Sequence, residues 1–132
     1  MAYVKYKELT KYFNFNSEFD LNKLPSYTLD YLIDNEIVYR AYKTKRDKGL
    51  FTNKRMILFD VKPIFNTKKI HIIPYSSISS GAILFNKFSA AIFFSFDSGY
   101  QLKLKFINMN AENKKNLRLL FSYIMENRDK NK

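Results

Sequence analysis

The chain has 132 residues, 46% of them hydrophobic and 17% aromatic, with 23 Lys and Arg, 12 Asp and Glu, one His, no Cys and a net charge of +11. That length fits one domain able to bury roughly two-thirds of its unfolded surface without covalent staples, and the missing cysteine excludes a disulfide framework, a thiolate nucleophile and a thiolate metal site. No apolar run approaches the ~18 residues of a spanning helix, and residues 1–11 alternate tyrosine with lysine rather than forming an apolar leader, so the chain reads as soluble and cytoplasmic.

Residues 1–22 carry Tyr3, Tyr6, Tyr12, Phe13, Phe15 and Phe19 among polar residues with no clean period, and residues 1–23 read as an aromatic-rich N-terminal arm whose rings need cover. Pro25-Ser26 followed by Leu29, Leu32 and Ile33 predicts a short helix with Ser26 as N-cap, ended by Asp34-Asn35. The first strand of the expected domain is Glu36 to Thr44, followed by a charged loop, Lys45 to Gly49.

Leu50-Phe51 and Met56-Ile57-Leu58-Phe59 flank Thr52-Asn53-Lys54-Arg55, the pattern of two strands joined by a tight turn. Asn53 is the expected left-handed pivot, and the Thr52 hydroxyl is placed to hydrogen-bond a turn amide. With Asn53 and Lys54 at the tip, Phe51 faces Met56 and Leu50 faces Ile57. One side of the hairpin then carries Leu50, Thr52, Arg55, Ile57 and Phe59, and the other Phe51, Met56, Leu58 and Asp60. Both sides are largely apolar, so both need cover. The set Phe51, Met56 and Leu58 is the expected face for a second copy or for the arm.

Val61 to Thr67, with Pro63 and Asn66, reads as a loop, Lys68 to Ile73 as a strand, and Tyr75-Ser76-Ser77 as a turn. Ile78 to Phe85 is again β, with an irregularity expected at Gly81. Ala90 to Phe96 and Tyr100 to Phe106 flank the hairpin signal Asp97-Ser98-Gly99, and Leu102, Leu104 and Phe106 alternate with Gln101, Lys103 and Lys105. The period then changes: Leu117, Leu120, Phe121, Ile124 and Met125 mark an amphipathic helix over Ala111 to Asn127 with Asn110 as N-cap, and residues 128–132 read as a polar tail.

About seven short strands and one terminal helix predict a mainly β fold with α: an antiparallel barrel or orthogonal sandwich capped by the C-terminal helix and preceded by the arm and short helix. The order and spacing of Glu36-Ile37-Val38, Arg46-Asp47, Leu50 to Ile57, Lys68-Lys69 and Ile73-Pro74-Tyr75-Ser76-Ser77-Ile78 resemble the small bacterial pleckstrin-homology-like domains over about residues 24–126. The resemblance implies a seven-strand barrel with a helical cap, domain bounds of 24–127, and a binding or assembly role without catalysis or cofactor. Two departures are visible: Val61 to Thr67 stands where many such domains have a glycine-rich turn, and Ile83 to Phe96 is apolar where some carry acids.

The residues themselves offer little chemistry for an enzyme. His71 is the lone histidine, between Ile70 and Ile72, and lacks metal-site spacing to other ligands. No Gly-x-Ser-x-Gly elbow, dinucleotide fingerprint or P-loop occurs in a chain with three glycines, and Asp97 and Glu112 form no acid/base pair. No catalytic residue and no metal ligand is assigned.

Charge is the remaining signal: residues 37–106 carry a net +10, and Lys43 to Lys69 alone +7. On a pleckstrin-homology-like fold, Lys43, Lys45, Arg46 and Lys48 fall on one loop and Lys62, Lys68 and Lys69 on another at the same open end, a candidate anion-binding cluster. The expected partners are a second copy of the chain and a protein partner or an anionic membrane surface. Single-stranded nucleic acid is the alternative, with Tyr39, Tyr42 and Phe65 as stacking candidates.

Overall fold

The structure is a computed structural model and describes residues 10–62 and 67–130. Among these residues nine strands form two sheets, β1 (Thr10–Phe15), β2 (Ser17–Glu18), β3 (Val38–Lys43), β4 (Asp47–Thr52), β5 (Arg55–Lys62), β6 (Thr67–Pro74), β7 (Ile78–Phe85), β8 (Ala90–Phe96) and β9 (Gln101–Phe106). A single turn of helix, α1 (Ser26–Leu29), precedes β3, and a long helix, α2 (Ala111–Lys130), follows β9. The order is β1-β9-β8-β7 in one sheet and β2-β3-β4-β5-β6 in the other. The sheets pack as an open sandwich rather than a closed barrel, with the seven expected strands present as β3 to β9.

The arm contributes strands of its own. β1 runs parallel to β9, with Phe13 opposite Leu104 and Phe15 opposite Phe106, and both phenylalanines are fully buried. Its period of two is masked in the sequence because Tyr12, on the outward side, is as aromatic as the inward residues. β2 then pairs with β3, where Arg40 ties it to the helix by donating to Glu18 at 3.1 Å and to Asn116 at 3.3 Å.

The central hairpin has the expected register, Leu50 opposite Ile57 and Phe51 opposite Met56. Its two faces enter two cores. Phe51, Met56 and Leu58 join Phe13, Phe15, Ile92, Phe94, Leu104, Leu117 and Leu120 between the sheets and under α2. Leu50, Ile57 and Phe59 form a second cluster with Ala41, covered by Phe19, Leu24, Tyr27, Tyr31 and Leu32 of the same chain. Tyr27 and Tyr31 each meet the Phe59 ring edge-on at 5.6 Å. Phe51, Met56 and Leu58, expected to face a second copy or the arm, are the interior set and meet Phe13 and Phe15 of the arm there, while the opposite set is covered by residues 19–32. Two-sided hydrophobicity called for cover without saying which side was inside.

Several local expectations change. Asn53 is not left-handed; the positive-φ residues other than glycine are Asn35 at 65° and Asn108 at 57° among the described residues. Asn53 instead holds the entry to β3, its Oδ1 accepting from Ile37 N at 2.8 Å and its Nδ2 donating to Asn35 O at 3.1 Å. Thr52 acts as expected, its Oγ1 accepting from the amides of Lys54 and Arg55 at 3.0 and 3.1 Å. Ser26 is the first residue of α1 and not its cap; Pro25 precedes it without a side-chain cap. The irregularity in β7 lies between Ile78 and Ser80, while Gly81 lets the helix approach: a Cβ there would come within 3.2 Å of Phe94, Met125 and Phe121.

Asn110 caps α2 as expected, accepting from Asn113 N at 2.8 Å while Asn113 Oδ1 accepts from Asn110 N at 3.2 Å, a reciprocal box. The helix runs to Lys130 and so includes residues read as tail, with Lys130 bridging back to Glu126 at 3.2 Å. Tyr39 stacks on Tyr123 at 4.0 Å and 8°, fixing the helix against the five-stranded sheet. No helix among the described residues is long and apolar enough to cross a membrane.

Candidate anion-binding site

The turn from β3 to β4 places the lysines. Thr44 closes it: its N–H donates to Asp47 O at 2.7 Å, and its hydroxyl accepts from the amides of Arg46 and Asp47 at 3.3 and 2.9 Å. Lys43 and Lys48 are then cross-strand partners, and alternation points them to the outward face that also carries Leu50. Asn16 N donates to Lys43 O at 2.9 Å, bringing the segment after β1 alongside.

The result is a cleft of about 360 Å³ lined by Asn16, Phe19, Pro25, Lys43, Thr44, Lys45 and Lys48. Three of these side chains are cations and none is an acid. Lys43 Nζ lies 4.7 Å from the centre of the Phe19 ring, and Lys68 Nζ, from β6, 3.9 Å from that of Tyr27, so aromatic faces of the arm and of α1 steady the ammonium groups. Lys48 is half-buried, and its pKa lies below the ordinary lysine value. Burial is the main cause; the charges of Lys43 and Lys68 add to it, while Asp47 opposes it. A group whose charge is disfavoured by neighbouring cations gains when an anion enters.

The seven basic residues expected to act together divide. Lys43, Lys45 and Lys48 line this cleft, with Lys68 close enough to depress Lys48. Arg46 and Lys62 line a different cleft of about 440 Å³ that also holds Asp47 and Asp60. There Arg46 Nη2 bridges to Asp60 Oδ1 at 3.4 Å, Asp47 Oδ2 accepts from Asn14 N at 2.9 Å, and Lys69 is the register partner of Asp60. Two carboxylates among these cations offset their attraction for an anion. The sequence shows the positive sum but hides the partition, which follows from alternation across the hairpin and from cover by residues 16–25.

His71 meets the Phe13 ring edge-on at 5.6 Å, and no cluster of His, Cys, Asp or Glu suited to a metal ion occurs among the described residues. Of the stacking candidates, Tyr39 is occupied by Tyr123, Tyr42 is fully buried, and Phe65 lies outside the described residues.

A cluster of polar residues that the sequence displayed only as fragments lies behind the hairpin turn. The Glu36 carboxylate, whose side chain is fully buried, accepts from Thr52 Oγ1 at 2.6 Å, from Arg55 Nε at 3.0 Å and Nη2 at 3.1 Å, and from Ile33 N at 3.0 Å. Arg55 also donates to Tyr31 O at 2.6 Å, and Tyr75 OH donates to Thr52 O at 2.7 Å. Burial raises the Glu36 pKa, but the hydrogen bonds from Thr52, Ile33 and Arg55 and the Arg55 charge outweigh it, leaving the net value below the ordinary one. Every carboxylate oxygen is satisfied, so this cluster ties residues 31–36 to the hairpin and leaves no vacancy for a ligand.

Comparison with known proteins bears on these same residues. The family model for the bacterial PH domain matches residues 9–125. The chain belongs to the bacterial PH domain family. The match begins at the start of β1, so the family unit includes the strand contributed by the arm. Among curated proteins, the uncharacterized protein YozO of Bacillus subtilis is 43% identical over 53 residues, 39% of this chain and 46% of that protein; the shared segment thus spans about half of that relative.

Three solved structures share the fold. A pleckstrin-homology-domain protein from Shewanella loihica superposes with a TM-score of 0.67 at 21% identity, covering 83% of this chain and 96% of the other. The pleckstrin homology domain from Shewanella amazonensis gives 0.61 at 26% identity, with 82% and 90% covered. A PH-domain-containing protein from Exiguobacterium sibiricum gives 0.62 at 21%, with 86% and 63% covered. In this bacterial PH domain, then, the motifs Glu36, Thr52 to Arg55 and Tyr75 meet in one structural cluster, and the lysine cleft lies apart from it.

Proposed function

We propose that this bacterial PH domain is a binding module without catalytic activity that holds a phosphate-bearing anionic group in the cleft formed by Lys43, Lys45 and Lys48. The observation that carries the reading is the segregation of charge: three cations share one cleft with no carboxylate, whereas the neighbouring cleft is compensated by Asp47 and Asp60.

The magnitude limits what a single copy can do. At about 1 kcal/mol per lysine near an anionic surface, three lysines supply on the order of 3 kcal/mol, weaker than millimolar. Copies held together, by self-association or by a protein partner, would hold such a surface through avidity. Light scattering on the full chain, alone and with vesicles, measures that contribution.

Flotation with vesicles containing phosphatidylglycerol, beside titration with inorganic pyrophosphate, tests the reading and separates a lipid from a soluble source. The Lys43→Gln/Lys48→Gln variant is expected to lose about 2 kcal/mol, or roughly 30-fold, while Arg46→Gln/Lys62→Gln changes little. Equal losses in the two pairs would mean that diffuse charge, not the cleft, attracts the anion.

A further inference from the structure

The outward face of the four-stranded sheet carries a second arrangement that the lysine cleft does not use. Alternation sends Phe13, Phe15, Ile92, Phe94, Leu102 and Leu104 inward and leaves the other positions facing out. The register aligns Tyr12 with Lys103, Lys103 with Phe93, and Phe93 with Ala82 in one row across all four strands. The next row aligns Asn14, Lys105, Ala91 and Leu84. Tyr12 is 62% exposed, Phe93 38% and Leu84 50%. Lys103 Nζ lies 5.4 Å from the centre of the Phe93 ring. The sequences of β1, β7, β8 and β9 contain no Asp or Glu.

We infer that this face binds single-stranded nucleic acid, with bases stacked on Tyr12 and Phe93 and the backbone held by Lys103 and Lys105. Three features select this occupant. Tyr12 and Phe93 stand on the two strands flanking β9, about 10 Å apart at two strand spacings, so that each ring takes a base with Lys103 between them. Aromatic faces accept any base, and the interposed ammonium groups meet the phosphates, the pairing by which open sheet faces hold single strands. No acid stands on these four strands, and the two carboxylates of the cleft beside Tyr12, Asp47 and Asp60, are engaged there by Asn14 N and by Arg46. An inserted lipid chain fits less well, because the apolar positions are interrupted by Lys103, Lys105, Asn14, Gln101 and Ser95 rather than contiguous. A duplex keeps its base faces stacked internally and offers nothing to Tyr12 and Phe93.

Fluorescence anisotropy of the full chain with labelled oligo(dT) and oligo(rU), across a salt series, tests the inference. The Phe93→Ala variant is expected to bind about tenfold more weakly with an unchanged salt slope, and Tyr12→Ala to act in the same direction. The Lys103→Gln/Lys105→Gln variant is expected to flatten the slope by about 1.4, or 0.7 for each phosphate contact. Lys43→Gln/Lys48→Gln, in the other sheet, leaves the Phe93→Ala loss in place, so failure of the anion cleft and failure of this face are read separately. Because the chain contains no tryptophan, Phe93→Trp introduces one fluorophore whose emission should be quenched when oligonucleotide saturates the protein. The inference is overturned if Phe93→Ala binds as tightly as the parent, if the new indole is unaffected by bound oligonucleotide, or if this face takes phosphatidylglycerol vesicles but neither oligonucleotide.

Discussion

Replacing Glu36 by Ala probes the link that joins the segment before β3 to the hairpin. The substitution removes the acceptor of Thr52 Oγ1, of Ile33 N and of both Arg55 nitrogens, and leaves Arg55, whose side chain is 19% exposed, without its counter-charge. Breaking a fully buried pair costs about 3–5 kcal/mol; partial access of water to Arg55 places the expected loss near the bottom of that range, about 3 kcal/mol. For a domain of this size that lowers the melting temperature by about 10 °C. Arg55→Ala is expected to cost at least as much, since it strands the more deeply buried partner. The apolar pair Glu36→Leu/Arg55→Met should recover part of the loss, because no buried charge remains. Urea unfolding followed by tyrosine fluorescence or circular dichroism measures all three. A single-variant loss below about 0.5 kcal/mol, the range of an ordinary surface change, would refute the reasoning. The pH dependence gives a second reading. Because the folded Glu36 pKa is depressed, its contribution is fully present above the unfolded value and disappears as pH falls through the folded one. Glu36→Gln should therefore flatten the stability profile below about pH 5.

Three other outcomes follow from the packing and the lysine cleft. Gly49→Ala would place a Cβ 2.9 Å from Phe15 Cζ and 3.1 Å from Leu58 Cδ2, both in the main core, and is expected to cost about 1–3 kcal/mol in chemical denaturation. Phe59→Ala should cost about 3–5 kcal/mol and, by removing the ring beneath Tyr27 and Tyr31, speed limited proteolysis within residues 19–32. Because Lys48 titrates below the ordinary lysine range, pyrophosphate binding at alkaline pH should be accompanied by proton uptake; calorimetry in buffers of different ionisation enthalpy detects it, and Lys48→Gln should abolish it.

The strands, their hairpin register and the terminal helix were legible because alternation and helical periodicity are local properties: Leu102 to Phe106 and Leu117 to Met125 announce their buried faces without knowledge of the rest of the chain. Which face of a two-sided hairpin turns inward is not local. Phe51 and Leu50 are equally apolar, and only the path of residues 10–32 assigns one to each core. The same limit applied to the basic residues. Their sequence sum was visible, but Lys48 and Asp47 are adjacent in the chain and point to opposite sides of the strand, so neighbours in sequence belong to different clefts. Glu36, Thr52, Arg55 and Tyr75 were readable as a family pattern, yet their mutual hydrogen bonds required the fold.

That last point separates recognition of the family from recognition of a ligand. Glu36, Thr52, Arg55 and Tyr75, part of the pattern that makes this chain resemble other bacterial PH domains, hold the hairpin to the segment before β3, and their polar atoms are spent on one another. The candidate contacts lie elsewhere, on the two outward faces of the sandwich, with the main core between them. Separated sites that share no partners affect binding additively. Combining Lys48→Gln with Phe93→Ala should therefore leave each loss unchanged, in pyrophosphate binding for the first and oligonucleotide binding for the second. If one anionic surface wraps the whole domain instead, each substitution would weaken both probes, and two independent sites could not be maintained.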